Sequence, residues 1–214
     1  MNWSTYIWAI NSGRVIQTSI GYYIEPIVIC LVGIVVFGEK LTRYNLTAII
    51  LAAAAVMLIL VHFGQLPGVA LALAGTWAVY SAIKKTAEQP AIIALVYETM
   101  IYAVLSVFAI IYIESKGIGA LSVATPGKYV LLLLSGLMTL IPVGLFGAAA
   151  KKVPLLIVGL AQYISPTITL ICGIFLFKED VDMVQIIAFV IIWTGLVFFT
   201  CGEFAEARAE HTEN

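Results

Sequence analysis

The chain has 214 residues, of which 62% are hydrophobic and 11% are charged, and its mean hydropathy is +1.07. Soluble domains are far less apolar than this, so the composition predicts an integral membrane protein with the lipid bilayer as its main partner. The formal net charge of −1 leaves no basic surface with which to neutralise phosphates, and we therefore expect no nucleic-acid partner.

Seven stretches are long and apolar enough to cross the roughly 30 Å hydrocarbon core of a bilayer as helices. In chain order they are Ile16–Gly38, Tyr44–Val61, Leu66–Ile83, Ala91–Ile113, Tyr129–Ala150, Pro154–Phe177 and Met183–Cys201. The predicted fold class is therefore all-α, a multi-span helical bundle in the membrane.

Basic residues in the connections predict the orientation of these spans. One side carries Lys40, Arg43, Lys84, Lys85, Lys151, Lys152 and Arg208, and the other carries Arg14, Lys116, Lys128 and Lys178. Because cytoplasmic loops hold the excess of Lys and Arg, the first side is predicted to be cytoplasmic. The acidic C-terminal tail would then lie in the cytoplasm as well.

One segment of the chain occurs twice, at a fixed offset of 140 residues. The first copy has Tyr23, Ile24, Pro26, Gly33, Ile34, Phe37 and Glu39, and the second has Tyr163, Ile164, Pro166, Gly173, Ile174, Phe177 and Glu179. The copies fall in the first and sixth spans, an odd number of crossings apart, so they are predicted to run in opposite directions. Inverted repeats are typical of secondary transporters, whose substrate site tends to lie near the midplane between the halves.

The same offset predicts an incomplete first repeat. Residues 1–12 correspond to residues 141–152, the last half of the fifth span, so the chain is expected to start within a partial span. If the second repeat begins near Gln65, the first would begin about 75 residues before Met1, and two whole spans and part of a third would be missing.

Several motifs resemble those of a known family. They are Asn2-Trp3, Ile7-Trp8-Ala9, Asn11, Ser19, Gly21-Tyr22-Tyr23-Ile24 with Pro26, Gly38-Glu39, Tyr80 before Lys84-Lys85, Glu98-Thr99, and Gln162-Tyr163-Ile164 followed by Pro166-Thr167. In these motifs the chain resembles the RarD proteins, EamA-type members of the drug/metabolite transporter superfamily. The resemblance implies ten helices in two inverted five-helix halves around a central cavity, in the bacterial inner membrane. It also implies export or permeation of amino acids, other metabolites or drugs.

The resemblance divides the chain into three parts. Residues 1–63 would be the C-terminal part of the first EamA repeat, residues 64–201 the second repeat of five helices, and residues 202–214 an acidic cytoplasmic tail. The chain departs from the family in lacking the first two helices and in having Glu25 where an asparagine is expected. The alternative is therefore a non-transporting, truncated membrane module that pairs with or regulates another transporter subunit.

The two prolines of the repeat mark a candidate site. Pro26 and Pro166 lie near the middle of corresponding spans, where each removes a backbone donor and crowds the carbonyl four residues earlier, at Tyr22 and Gln162. Freed midplane carbonyls could coordinate a substrate, and paired interruptions in corresponding helices point to a transporter site. A kink that only shapes packing is the alternative, since many membrane helices tolerate proline.

Two acidic residues, Glu25 and Glu98, lie well inside predicted spans. A carboxylate there costs on the order of 3 kcal/mol, and burial favours its protonated form. Either residue could bind a proton on one side and release it on the other, as a proton-coupled transporter requires. The alternatives are a protonated glutamate bonded to a neighbouring helix and, for Glu25, a carboxyl group that faces a water-filled cavity without a coupling role.

Aromatic side chains could complete the site. Trp77 and Tyr80 are three residues apart and share a helix face. With Tyr23, Tyr102, Gln162 and Tyr163, they could line a pocket that holds an amphipathic solute by stacking and a few hydrogen bonds. Packing or lipid contact is the alternative for each of them.

Outside this site the sequence offers little chemistry. Glu39 and Glu179 end corresponding spans, and we interpret them as solvated loop carboxylates, with a gating ion pair as the alternative. No phosphate loop, nucleophile elbow or dinucleotide fingerprint is present, and the two histidines, His62 and His211, lie far apart, so we predict no enzyme, cofactor or metal site. The predicted function is secondary transport of a small organic solute by alternating access, with proton coupling and a homodimer left open.

Overall fold

A computed structural model describes residues 2–64, 68–120, 125–178 and 182–213. Its helices are α1 (Asn2–Asn11), α2 (Val15–Phe37), α3 (Arg43–Phe63), α4 (Gly68–Thr86), α5 (Ala91–Ser115), α6 (Pro126–Lys152), α7 (Leu155–Ala161), α8 (Ile164–Cys172) and α9 (Met183–Glu213). A π-helical turn, Gly173–Phe177, follows α8. Within the described residues there is no strand, and the predicted all-α class is confirmed.

Among the residues that the structure describes, six helical segments are long and apolar enough to cross a membrane. They are Gln17–Phe37, Arg43–Phe63, Ala91–Ser115, Gly127–Lys152, Leu155–Leu176 and Met183–Ala205. The remaining predicted span, Leu66–Ile83, forms α4 but is not among the six. Helix α4 combines glycine, threonine and serine with two lysines in its last turn, which lowers its hydropathy. Leu66 lies outside the described residues.

The chain divides into two compact units. The first unit consists of Met1–Ile83 and Val153–Asn214, and the second is Lys84–Lys152. Both copies of the repeat, α2 and the segment containing α7 and α8, therefore belong to the first unit. The second unit contains the apolar helices α5 and α6.

The two copies of the repeat pack against each other, α2 on α7, and their contacts run antiparallel. Glu39, just beyond the end of α2, bonds the backbone of Leu155 at the start of α7. Farther along, Tyr163 reaches back to Tyr23 in the first half of α2. If the two copies run in opposite directions, the chain must make an odd number of membrane crossings from one copy to the other. The number is odd if α4 is also counted as a crossing. The five-helix halves stay a prediction.

The next pair of equivalent helices, α3 and α9, packs in the same way. Ala48 and Ala188 keep the 140-residue register, and both are buried. A Cβ added to Gly195 would lie 3.2 Å from the carbonyl oxygen of Ala48, so the two backbones approach closely. At the other end of the pair, His62 Nε2 lies 2.8 Å from Asp182 Oδ2. Each of these helices thus packs on its counterpart from the other copy.

Asp182 caps the start of α9. Its Oδ1 accepts a hydrogen bond from the Val184 amide at 2.7 Å, and its Oδ2 bonds His62. These two hydrogen bonds hold the pKa of Asp182 below its usual range. Their stabilisation is therefore present above the ordinary pKa of a carboxyl group and is lost as the pH falls through the lowered value.

Both copies of the repeat end in the same left-handed turn. Gly38 follows α2 with a φ of +62°, and Lys178, 140 residues later, has a φ of +54°. Glycine adopts this conformation freely, because it has no Cβ. A lysine there is strained.

Small residues let α2 approach α4. Ala70, Ala74 and Ala78, spaced by four along α4, are all buried. A Cβ added to Gly21 of α2 would lie only 3.4 Å from the Cα of Ala70. Close approach through small side chains is the usual mode of helix packing in membranes.

The two ends of the described chain are helical. The predicted partial span at residues 1–12 forms α1, in which Ala9 packs against Val69 and Leu73 of α4. The predicted acidic tail, residues 202–214, continues α9 as a helix as far as Glu213.

Glu39 is not the solvated loop carboxylate that we predicted. Its Oε1 accepts a hydrogen bond from the Leu155 amide at 2.7 Å, and its Oε2 accepts one from the Leu156 amide at 2.8 Å. It therefore caps α7, for which the adjacent Pro154 provides no side-chain cap. The prediction failed because spacing along the chain does not show that the two copies meet at this end. Its counterpart, Glu179, lies outside the described residues.

Replacing Glu39 by Ala should lower the free energy of unfolding by about 1–2 kcal/mol, because two amides at the start of α7 lose their acceptor. Chemical unfolding in detergent micelles, followed by circular dichroism, would measure the change. Glu88→Gln removes an exposed carboxylate in the α4–α5 connection and is the matched control. Equal stability of the two variants would contradict the capping role.

Candidate functional site

The second copy of the repeat is broken where the first is continuous. Helix α2 runs without interruption through Pro26, whereas α7 ends at Ala161 and a turn at Gln162 and Tyr163 separates it from α8. Pro166 then falls in the first turn of α8, where a missing N–H removes no intrahelical hydrogen bond. The two copies thus have matching sequences and different local conformations.

The break does not free the carbonyl that we predicted. The backbone oxygen of Gln162 accepts a hydrogen bond from the Ser165 amide at 3.0 Å. This hydrogen bond joins residues three apart, whereas those of a regular α-helix join residues four apart. The Ser165 amide therefore takes the place of the donor that Pro166 lacks. That prediction was wrong at Gln162.

The side chain of Gln162 meets two of the predicted aromatic residues. Trp77 Nε1 donates to Gln162 Oε1 at 3.3 Å, and the rings of Trp77 and Tyr80 stack with centroids 5.1 Å apart. The amide nitrogen of Gln162 is buried and has no hydrogen-bond partner among the described residues. Three predicted site residues therefore lie together, with one unused donor.

The two tyrosines of the repeat are core residues. Tyr163 is 1% exposed and Tyr23 is 8% exposed. The hydroxyl group of Tyr163 donates to the Tyr23 carbonyl oxygen at 3.1 Å, and the Tyr23 ring meets Phe189 edge to face at 5.6 Å. Their contacts hold the two copies of the repeat together.

Pro26 lies where α2 and α7 approach each other closely. A Cβ added to Gly159 would be 2.8 Å from the Pro26 carbonyl oxygen and 2.8 Å from Cys30 Sγ. The thiol of Cys30 also donates to the Leu156 carbonyl oxygen at 3.3 Å. The helices can pack this tightly only because residue 159 has no side chain.

Glu25 lines a small cavity of about 10 Å³ between α1, α2 and α4. The other lining residues are Asn2, Tyr6, Thr18, Gly21, Tyr22 and Leu73. Of this set, our sequence analysis selected only Glu25 as a site residue. The missed signal was spacing, since Asn2 and Tyr6 are four residues apart, as are Thr18 and Tyr22.

Glu98 and Tyr102 belong to the second unit, on α5. Glu98 Oε1 lies 2.7 Å from Lys84 Nζ, and the Lys84 side chain is 1% exposed. The lysine stem lies beside α6, since a Cβ added to Gly147 would be in van der Waals contact with Lys84 Cδ at 3.6 Å. Lys84, which we counted among the basic residues of the connections, is therefore buried in an ion pair. Tyr102 is 58% exposed.

The model of the EamA-like transporter family matches residues 66–201. The chain is 37% identical over 209 residues to an uncharacterized transporter, YojE, of Bacillus subtilis, covering 98% of this chain and 70% of that protein. It is 32% identical to Protein RarD of Streptomyces exfoliatus, covering 97% of this chain and 66% of that protein. It is 30% identical to Protein RarD of Escherichia coli, covering 92% of this chain and 67% of that protein.

The chain thus spans 66% to 70% of the length of these three relatives. No solved structure gives a significant match. The matches confirm the resemblance to the RarD proteins, and one of these three relatives is named as a transporter. Together with the six apolar helices, they show that this multi-span membrane protein belongs to the EamA-like transporter family.

Proposed function

We propose that the chain is a secondary transporter that moves a small organic solute, such as an amino acid, a metabolite or a drug, by alternating access around a midplane cavity. The observation that carries this proposal is the difference between the two repeat copies, which pack antiparallel with one continuous and the other broken at Gln162 and Tyr163. Alternating access in inverted-repeat folds is the movement of one repeat against the other around a fixed site. A motif that adopts two conformations within one chain supports such a movement.

The solute would bind at Trp77, Tyr80 and Gln162. A flat apolar group can pack on the stacked rings, and an acceptor oxygen can take the unused amide N–H of Gln162. A buried donor without a partner costs about 1–3 kcal/mol. A bound acceptor would offset that cost, which makes this amide a point of recognition.

Glu98 is the coupling residue in this proposal. Its carboxylate holds Lys84 Nζ at 2.7 Å, and uptake of a proton by Glu98 would remove the charge that forms this pair. Binding of a proton by Glu98 would then be linked to release of the Lys84 ammonium group from the ion pair, as coupling requires. In this proposal the C-terminus lies in the cytoplasm, as the remaining basic residues at that membrane face predict.

Solute release from proteoliposomes tests the proposal. Liposomes containing the full chain are loaded with a mixture of amino acids and small aromatic metabolites, and mass spectrometry follows the solutes that leave. We expect release of at least one solute, slowed about tenfold or more in Gln162→Leu, because the variant loses a hydrogen bond worth about 1–3 kcal/mol in a buried site. Gln89→Leu, an exposed position outside the site, should release solutes at the normal rate.

Two outcomes would overturn transport by this chain. Folded protein that releases nothing faster than protein-free liposomes would contradict it. Release that occurs only after a longer relative is added to the same liposomes would support the alternative, a module that pairs with another transporter subunit. Gel filtration of each variant verifies folding before reconstitution.

A further inference from the structure

We propose that the cavity beside Glu25 binds the protonated primary amine of the transported solute. The inference rests on the proposed transport function and specifies that the solute carries a positive charge. The cavity lies within the first unit, between α1, α2 and α4, and is separate from the contact between Trp77 and Gln162.

The cavity has ordered walls. Thr18, Tyr22 and Glu25 follow one another at helical spacing and share a face of α2. On the opposite wall, Asn2 of α1 is fixed to α4, because its Nδ2 donates to the Leu73 carbonyl oxygen at 2.8 Å and to Thr76 Oγ1 at 3.0 Å. The carboxyl group of Glu25 is therefore presented by packed helices.

The charge of the cavity favours a cation. Glu25 makes no hydrogen bond or ion pair with the described part of the chain, and the residues that line the cavity include no lysine or arginine. A carboxylate inside a membrane span is costly when it has no partner. A bound cation would supply the missing partner.

Aromatic rings beside the carboxylate favour an ammonium group. The rings of Tyr6 and Tyr22 meet edge to face at 5.9 Å, and Trp3 stacks on Tyr6 at 5.3 Å. The faces of such rings attract organic cations. A carboxylate flanked by tyrosines thus offers both an ion pair and a cation–π contact.

The size of the cavity selects among cations. A volume of about 10 Å³ holds about one water molecule. A primary ammonium group fits such a space, whereas a quaternary ammonium group is too wide. Sodium would fit by size but would gain little from the two rings, so the experiment must compare the two cations.

Thermal unfolding of the purified full chain in detergent tests the proposal. Ethylammonium chloride is the probe, with sodium chloride and tetramethylammonium chloride at the same ionic strength for comparison. We expect ethylammonium alone to raise the unfolding temperature in a saturable way, since a ligand stabilises the state that binds it. An equal rise with sodium or with tetramethylammonium would overturn the proposal.

Variants locate the binding site. Glu25→Gln should weaken ethylammonium binding about tenfold or more, because hydrogen bonds to a charged group are worth about 1.5–3 kcal/mol. Tyr22→Leu should weaken it about threefold, since it removes a ring, and Tyr22→Phe should preserve it. Glu88→Gln, which removes a carboxylate outside the cavity, should leave it unchanged. Unaltered binding in both Glu25→Gln and Tyr22→Leu would contradict the assignment.

This binding assay does not depend on transport. A protein that releases solutes from liposomes but ignores ethylammonium contradicts only the amine site. A protein that binds ethylammonium through Glu25 but releases nothing supports the site and contradicts the proposed transport function.

Discussion

Replacing Glu98 by Gln should lower the free energy of unfolding by about 1.5–3 kcal/mol, the usual worth of a hydrogen bond to a charged group, because Glu98 is itself 37% exposed although its partner is buried. The cause is Lys84, whose side chain is 1% exposed and whose ammonium group lies 2.7 Å from the Glu98 carboxylate. Without that carboxylate, the buried ammonium group would lose its ion pair with Glu98. Chemical unfolding in detergent micelles would measure the loss.

A double variant separates stability from transport. Lys84→Met combined with Glu98→Gln removes both charges and keeps similar volumes, so it should regain most of the lost stability, as replacements of whole buried pairs often do. If Glu98 is the coupling residue, the double variant should still fail to transport. Glu88→Gln is the control for loss of a carboxylate in the same unit. A stable single variant, or a transporting double variant, would contradict the roles assigned to this pair.

Gly159→Leu should separate α2 from α7 and lower the free energy of unfolding by about 1–3 kcal/mol, the typical cost of overpacking. Even the first atom of the new side chain would lie 2.8 Å from both the Pro26 carbonyl oxygen and Cys30 Sγ. Neither group can move easily, because one belongs to the backbone of α2 and the other is fully buried. The same unfolding measurement applies here.

Gly136→Leu is the matched control for this substitution. Gly136 lies on α6, and a Cβ added there would meet nothing within 4 Å. The control should therefore retain its stability. If Gly159→Leu and Gly136→Leu unfold alike, the close approach of α2 and α7 is not essential to the fold.

Much of the fold follows from short-range patterns in the sequence. Long apolar segments predicted six spans correctly, because in a membrane every backbone group must be satisfied within its own helix. The fixed offset between the copies also predicted that Tyr23 and Tyr163 lie in segments of opposite direction. The end of α9 was missed, since the charged residues after Cys201 suggested a tail, although Glu, Ala and Arg favour helices.

The site could be predicted only in part, because its contacts join residues far apart in the chain. Trp77 and Tyr80 were paired correctly, since they share one helix face. The bonds from Trp77 to Gln162 and from Glu98 to Lys84 depend on how separate helices pack, which one sequence does not specify. The spacing of Asn2 and Tyr6 places them on one face of α1, but only the packing of the helices brings that face beside Glu25.

The left-handed turns at Gly38 and Lys178 extend the likeness of the two copies from the side chains to the backbone. A lysine in this conformation costs on the order of 1 kcal/mol, so its φ of +54° is imposed by the surrounding chain. The two copies thus share this backbone conformation at a position where one has a residue that favours it and the other does not. Positions of this kind can serve as markers for aligning the halves of duplicated membrane proteins whose sequences have diverged too far to compare.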